Sequence, residues 1–304
     1  MEPWDYLPHL WRDAVRSLAP EHLATLEEVR FRLDRPVLCY GPNWCVPLSK
    51  MGSAVLRQQD LDELVSIIAD HSLYARVEEL RQAYLTLPGG HRVGIAGSAV
   101  WKDGSLATMT DIAGLNFRRA RDVKGAGQTL LQTFEELGRP VQSLLVAAPP
   151  RCGKTTLLRD LARHFSENGE RVTVVDERSE IAGFYRGRYG FWLGPHTDVL
   201  DGWPKAEGMM AAIRTLGPDR VVVDELGGGS DMGAVARALS AGVSVVASIH
   251  AGSYQQLERI GFSDRGSRTV GDLFDAVAIV SRRLGPGTVE ELWHAGERLW
   301  RVEA

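Results

Sequence analysis

The chain has 304 residues, of which 44% are hydrophobic and 24% charged, and its formal net charge is −4. That balance excludes a wholly disordered chain and a fibrous one, and leaves room for one large globular domain or two ordinary ones. The acidic total also excludes a polycation built to coat nucleic acid, although a local basic face remains open.

No apolar run reaches the roughly 18–20 residues that cross a bilayer, so no transmembrane segment is expected. Residues 1–5 have neither a basic start nor an apolar stretch, so no signal peptide is expected. Cys39, Cys45 and Cys152 are odd in number and have no metal-ligand spacing. They point to a reducing cytoplasm without disulfides or a zinc site.

In chain order, an aromatic-rich segment over residues 4–18 is followed by residues 29–33, which alternate like a half-buried strand. Residues 60–68 place Leu61, Leu64, Val65 and Ile68 on one helical face, and residues 75–84 read as a second helix. Residues 84–87 and 91–97 flank a Pro88-Gly89-Gly90 turn, which predicts a β-hairpin. A basic stretch, residues 116–125, then marks a junction. Beyond it apolar strands alternate with helices, the pattern of a parallel α/β sheet. The expected division is residues 1–125, an α+β domain ending in a basic linker, and residues 126–304, a P-loop ATPase domain.

The second part carries the chemistry. The apolar strand 143–147 runs into Ala148, Pro149, Pro150, Arg151, Cys152, Gly153, Lys154, Thr155 and Thr156. Leu157, Leu158, Leu161, Ala162 and Phe165 then follow at helical spacing. Strand, tight loop, Gly-Lys-Thr and helix form the context of a Walker A motif. Loop N–H groups and the helix N-terminus there face a polyphosphate. Lys154 would neutralise the β- and γ-phosphates of ATP, and the Thr155 hydroxyl would ligate Mg²⁺. Ala148 stands where the motif's first glycine is usual, and its methyl group would hinder a positive φ; the two prolines are an alternative way of setting the loop.

Residues 220–225 are a β-branched strand ending in Asp224 and Glu225. Asp224 takes the Walker B role beside Mg²⁺, and Glu225 that of general base on the attacking water. Residues 243–250 form a further buried strand with Ser248 and His250 at its C-terminal end, where ligands of open α/β sheets sit. His250 is a candidate to sense the γ-phosphate or orient the water, or merely caps the strand. Residues 172–180 make another strand ending in acids. Glu177 and Arg178 there serve the site or form a surface ion-pair cluster. Residues 275–281 supply a fifth strand, and residues 290–293 and 298–302 a closing hairpin. The fold class is therefore α/β. The succession of motifs resembles the RecA-like/AAA+ P-loop NTPase class, and that resemblance implies an extra strand between the Walker A and Walker B strands of the core, which the smaller α+β domain precedes.

Four blocks make the resemblance specific: residues 175–183 (Val-Asp-Glu-Arg-Ser-Glu-Ile-Ala-Gly), residues 197–202 with 204–210, residues 72–75, and residues 87–94. Over about residues 27–251 the chain resembles the stage III sporulation protein AA family of endospore-forming bacteria. That family is similar to the type II/IV secretion ATPases, which are hexameric motors. The resemblance implies a mother-cell cytoplasmic ATPase, homohexameric and peripheral to the membrane, docked on sporulation channel proteins at the forespore membrane. It makes Ala148 acceptable, because a serine or alanine before two prolines resembles the family's own loop opening. It also implies that arginines of the N-terminal domain and linker complete the site. Arg118 and Arg119 are the leading candidates as fingers beside Arg92 and Arg121; the alternative is a solvated basic linker. Residues 205–216 read as a helix started by Pro204 and stopped by Gly217-Pro218, facing a pore or interface, or packed through Met209, Met210 and Ile213.

Two other functions fit the same core. One is a P-loop nucleic-acid motor or an RNA- or single-stranded-DNA-binding ATPase, for which Gly94 to Gly97 would be a GxxG loop and residues 118–124 a basic track. The acidic total charge counts against nucleic acid as a partner. The other is a nucleotide-gated scaffold with little turnover, against which Glu225 argues.

Overall fold

A computed structural model describes residues 2–50, 52–69, 77–139, 141–260 and 273–301. The block at residues 72–75, the first two residues of the helix expected from Ala75, and Val302 lie outside them. The chain divides into two units, each with its own hydrophobic core. One comprises Met1–Arg121 with Gly183–Gly190, the other Asp122–Ala182 with Phe191–Ala304.

The first unit begins with a 3₁₀ turn (Pro3–Tyr6) and helices α1 (His9–Arg16) and α2 (Pro20–Thr25). Strands β1 (Glu28–Arg32), β2 (Val37–Gly41) and β3 (Trp44–Leu48) follow, then α3 (Gln58–Ile68) and α4 (Val77–Arg81). Strands β4 (Tyr84–Leu87), β5 (His91–Lys102) and β6 (Ser105–Arg118) complete it. The six strands form one antiparallel sheet in the order β3-β2-β1-β6-β5-β4. Alternation decides what is buried. Val29 and Phe31 of β1 point inward, and Phe31 meets Trp11 and Phe117 edge-on at 5.4 and 5.5 Å. Burying such a ring contributes about 1.5–3 kcal/mol.

Three expectations for this unit change. The helix expected to reach residue 84 stops at Arg81, because Ala83 takes φ +57 and Tyr84 opens a strand. Residues 94–97 are no loop. They lie within β5, where Gly94 pairs with Asn116 and Ala96 with Gly114. The register slips between Ala96 and Ser98, and a Cβ on Gly97 would sit 2.6 Å from the Thr110 carbonyl oxygen. This glycine therefore serves a bulge, not a backbone-binding loop. The basic stretch also starts in β6: Leu115 and Phe117 are buried, while Arg118 faces out.

The second unit holds α5 (Ala126–Glu136), β7 (Leu144–Ala147), α6 (Lys154–Glu167), β8 (Val172–Asp176) and β9 (Thr197–Asp201). Next come α7 (Lys205–Thr215), β10 (Arg220–Val223), α8 (Gly229–Ser240), β11 (Ser244–Ile249) and α9 (Tyr254–Arg259). Strands β12 (Ala276–Ser281), β13 (Thr288–His294) and β14 (Glu297–Arg301) close it. Its eight strands run β14-β13-β12-β7-β11-β10-β8-β9, parallel from β12 to β9, with the last hairpin antiparallel. Strands β7 and β10, expected to lead into the Walker A and Walker B residues, are thus separated by β11. Strands β7, β8 and β10 are buried along their whole length, as the continuous apolar runs require of a sheet covered on both faces. On one face Leu145, Val221, Val223, Val245 and Val277 share a core with Met209 and Ala212 of α7 and Met232 and Val235 of α8. Met209 is fully buried and Ile213 packs beside it, which is the packed reading of that helix.

Helices α5 and α6 pack together. A Cβ on Gly127 would lie 2.9 Å from the Leu161 backbone nitrogen, so only glycine permits this approach. Helix α5 offers no capping side chain of its own. Asp160, buried in α6, supplies the cap by accepting the N–H groups of Gly125 (3.0 Å), Gly127 (2.8 Å) and Gln128 (3.4 Å). It also pairs with Arg163. Burial alone would raise the Asp160 carboxyl, but the Arg163 guanidinium and the Gly125 and Gly127 N–H groups outweigh it and hold the group below its ordinary value.

Asp160→Ala should therefore cost about 3 kcal/mol in urea unfolding at pH 7, because it leaves the first turn of α5 uncapped and Arg163 with Glu167 alone of its two carboxylate partners. A folded-state pKa below the unfolded value of 3.8 gives stability that is present above that value and lost as the pH falls through the folded pKa. The gap between wild type and variant should then narrow below that pH.

Candidate active site

The loop expected from the sequence to hold phosphate joins β7 to α6. Ala148 continues the strand: it is fully buried, and its N–H donates to the Ile249 carbonyl oxygen at 3.2 Å. The left-handed positions are Arg151 (φ +62) and Gly153 (φ +87), so the methyl group of Ala148 meets no conformational conflict. Pro149, Pro150 and Arg151 are exposed, Cys152 is buried, and Thr156 is half-buried in the first turn of α6. Behind the loop, Gly287 donates its N–H to the Cys152 carbonyl oxygen at 2.8 Å. Gly153 caps α6, so the helix begins at Lys154 with its first N–H groups at the loop.

Lys154 is 5% exposed and aims its ammonium group at carbonyl oxygens of its own loop, Ala148 and Pro149, both at 3.2 Å. It also lies 3.0 Å from Nδ1 of His250. Burial pulls the Lys154 amine below its usual range, against the opposing pull of Glu225 and Asp224.

Asp224, directly after β10, is gripped by two hydroxyls. Thr155 Oγ1 donates to Oδ2 at 2.6 Å, and Ser248 donates to Oδ1. Desolvation pushes the carboxyl up. The two hydroxyls pull it down, and Glu180 and Glu225 push it up further. Glu225 takes the left-handed conformation, φ +47, unusual for a residue with a side chain. Ser248 fixes this turn, accepting the Glu225 N–H at 3.0 Å on Oγ and the Leu226 N–H at 2.8 Å on its carbonyl oxygen. The Glu225 carboxylate meets His250 Nε2 at 3.1 Å and Arg178 Nη1 at 3.4 Å. An ammonium group only donates, so His250 accepts at Nδ1 and carries its proton on Nε2, facing Glu225.

The segment after β8 forms the far wall. Asp176 is buried and accepts the N–H groups of Glu180 (2.8 Å), Ile181 (3.0 Å) and Ala182 (2.8 Å). Its burial outweighs those donors and pushes the carboxyl up to about 6. Arg159 of α6 holds the same segment from below. Nε donates to the Ile181 carbonyl oxygen and Nη2 to that of Glu180, both at 2.8 Å, while the guanidinium stacks on Phe191 at 3.5 Å. Glu177 pairs with Lys205 at the start of α7. A pocket is lined by Asp176, Glu177, Arg178, Glu180, Lys205, Asp224 and Glu225.

The structure thus gathers Ala148 to Thr156, Asp224, Glu225, His250 and Arg178 around one cleft at the C-terminal ends of β7, β10, β11 and β8. The four arginines proposed as fingers belong to the first unit and are engaged there. Arg118 pairs with Glu28 at 3.4 Å and Arg119 with Glu2 at 2.6 Å. Arg121 donates to the Thr25 carbonyl oxygen at 3.0 Å, and Arg92 stacks on Tyr84 at 4.2 Å. Arg159, Asp160 and Lys205 had no role assigned from sequence. Arg159 was detectable in part, as a cation one helical turn past Thr155 on an otherwise apolar face.

A family model described as sporulation stage III, protein AA matches residues 12–299. Stage III sporulation protein AA of Bacillus subtilis (strain 168) is 38% identical over 295 residues, 95% of this chain and 93% of the relative. The chain belongs to the stage III sporulation protein AA family. For this member of the family, solved structures of the ATPase DotB from Legionella pneumophila and from Yersinia pseudotuberculosis align with TM-scores of 0.58 and 0.59. They are 15% and 14% identical and cover 83% and 95% of this chain and 71% and 80% of theirs. The pilus retraction motor PilT, solved with bound ADP, aligns with a TM-score of 0.58 at 14% identity, over 85% of this chain and 75% of that one. At such identities the likeness is one of fold, the α/β fold of those ATPases. No helix among the described residues is long and apolar enough to cross a membrane.

Because Ser248 holds both Asp224 and the Glu225 turn, Ser248→Ala should destabilise the protein by about 1–3 kcal/mol in thermal or urea unfolding. Ser248→Thr, which keeps the hydroxyl, should recover most of that loss.

Proposed function

We propose that this sporulation stage III AA protein is a Mg²⁺-dependent ATP hydrolase whose work energises a secretion-like channel between mother cell and forespore. The observation that carries the reading is the 2.6 Å contact between Thr155 Oγ1 and Asp224 Oδ2, with the Glu225 carboxylate on the adjoining residue. A hydroxyl and a carboxylate oxygen side by side at the mouth of a phosphate loop suit Mg²⁺, which takes few protein ligands and fills its octahedron with phosphate and water. When bound, Mg²⁺ neutralises charge developing on the phosphate oxygens.

The chain's own groups supply the rest. The N–H groups of residues 151–156 and the start of α6 bind the polyphosphate. Lys154, buried with carbonyl oxygens and the His250 ring as its hydrogen-bond neighbours, would gain in the triphosphate an anion in direct contact. Glu225 orients and deprotonates the attacking water, and His250 fixes the direction of that carboxylate. Asp176 and Arg159 keep the opposite wall in place.

The chain is proposed to act as a homohexamer in the mother-cell cytoplasm, held at the membrane by sporulation channel proteins. Arg118 or Arg119 of a neighbouring copy would offset the charge on the transferred phosphoryl group. In that case both arginines exchange their carboxylate partners for the nucleotide on assembly.

Glu225→Gln should lower the turnover number by about 10²- to 10⁴-fold while ATP binding survives. Unchanged turnover would remove Glu225 as the base. Lys154→Ala should weaken ATP binding by at least about 100-fold in calorimetry without unfolding the sheet, because its side chain serves the ligand and not the core. Sedimentation with a slowly hydrolysed ATP analogue should give a ring, and a strict monomer with and without the analogue would exclude arginines acting in trans.

A further inference from the structure

Arg178 stands in the loop after β8, in the Val-Asp-Glu-Arg-Ser-Glu block that the sequence singles out and the nucleotide-binding residues do not account for. Its guanidinium spans two carboxylates: Nε lies 3.5 Å from Glu180 Oε1, and Nη1 lies 3.4 Å from Glu225 Oε2. The other oxygen of Glu225 faces His250 Nε2 at 3.1 Å. Each oxygen of the Glu225 carboxylate therefore has its own nitrogen neighbour: Arg178, from the loop after β8, donates to Oε2, and His250 Nε2, from the end of β11, stands beside Oε1. The loop is itself fixed by three N–H groups on Asp176 and by the two carbonyl bonds of Arg159.

We infer that Arg178 is a positioning residue that acts through Glu225. It holds the carboxylate in one direction, with Glu180 orienting the guanidinium from behind. A glutamate has three rotatable bonds, and here its backbone is already in a sparsely populated region. The Arg178 bond on one oxygen, with His250 against the other, removes the remaining freedom and leaves lone pairs on both oxygens for a water proton. Lysine could not do the same, because a point charge reaches one carboxylate where the planar fork reaches two. Nothing in the arrangement requires Arg178 to touch the nucleotide. The inference rests on the reading of Glu225 as general base.

The test uses the full chain and measures steady-state ATP hydrolysis together with equilibrium binding of a slowly hydrolysed ATP analogue. Arg178→Ala should lower kcat on the order of 10- to 100-fold, with KM and the analogue's Kd changed by no more than about twofold. Arg178→Lys should recover part of the loss. In a Glu225→Gln background, Arg178→Ala should cause no further loss of the residual rate, since its target is already gone. The side chain is 48% exposed, so the melting temperature should hold; if the alanine variant fails to fold, Arg178→Lys and Glu180→Gln carry the same test, each with a partial loss of kcat. An unchanged kcat, a tenfold or larger rise in KM or Kd, or an equal further loss in the Glu225→Gln background would each overturn the inference. Retention of full turnover by Glu225→Gln alone would instead overturn the base assignment, so the two failures are distinguishable.

Discussion

The grip of two hydroxyls on the half-buried Asp224 is the constraint on which the rest of the site depends. Two hydroxyls, from the first turn of α6 and the end of β11, close on one carboxylate at the end of β10. A carboxylate in that position is costly unless donors surround it. The two donors come from elements that flank β10 from different sides, so satisfying the carboxylate sets the spacing between the β7–α6 loop and the end of β10. Ser248 then extends the same network into the strained turn at Glu225. The neutral tautomer of His250 carries it on to Lys154, and Arg178 carries it to the loop after β8.

The second unit is legible because its central strands β7, β8, β10, β11 and β12 are buried almost throughout and read as apolar runs, with punctuation by glycine, proline and acids. Strands β7, β8, β10, β11 and β12, helix α6 and the closing hairpin all announce themselves in this way. Strand β9 did not, since Thr197-Asp198-Val199-Leu200-Asp201 is a half-buried edge rich in acids. Helix α8, full of glycine and alanine, also lacked a strong periodic signal. In the first unit β2 and β3 are short and interrupted, with a proline inside β3. Residues 91–97 read as one strand of a hairpin, but the continuation of β5 to Lys102 and its long pairing with β6 are concealed because the small residues at 96–99 carry no alternation. Only the facing alternation of Leu115 and Phe117 reveals the strand.

For the candidate site, residue types and spacing pointed to the cleft, and packing alone could supply the support beneath it. A sequence shows that Asp176 ends a strand. It does not show that the next turn folds back to place three N–H groups on that carboxylate, or that Arg159 reaches the same turn from below. Nor does it reveal that Gly183–Gly190 leaves the second unit to join the first. Long-range closure of this kind depends on loops whose local composition carries little information about where they return.

The turn at Gly285-Pro286-Gly287 leads from β12 into β13 and forms the back of the phosphate loop. A Cβ on Gly153 would stand 3.1 Å from the Gly287 nitrogen, and that nitrogen is already committed to Cys152. Glycine at position 153 is therefore fixed by two unrelated demands, its dihedral angle and the floor it rests on. The β12–β13 turn, remote in sequence from residues 148–156, acts as a mould for the loop proposed to cradle the phosphates. Changing the length of that turn would reshape the cradle with every residue of the motif still in place.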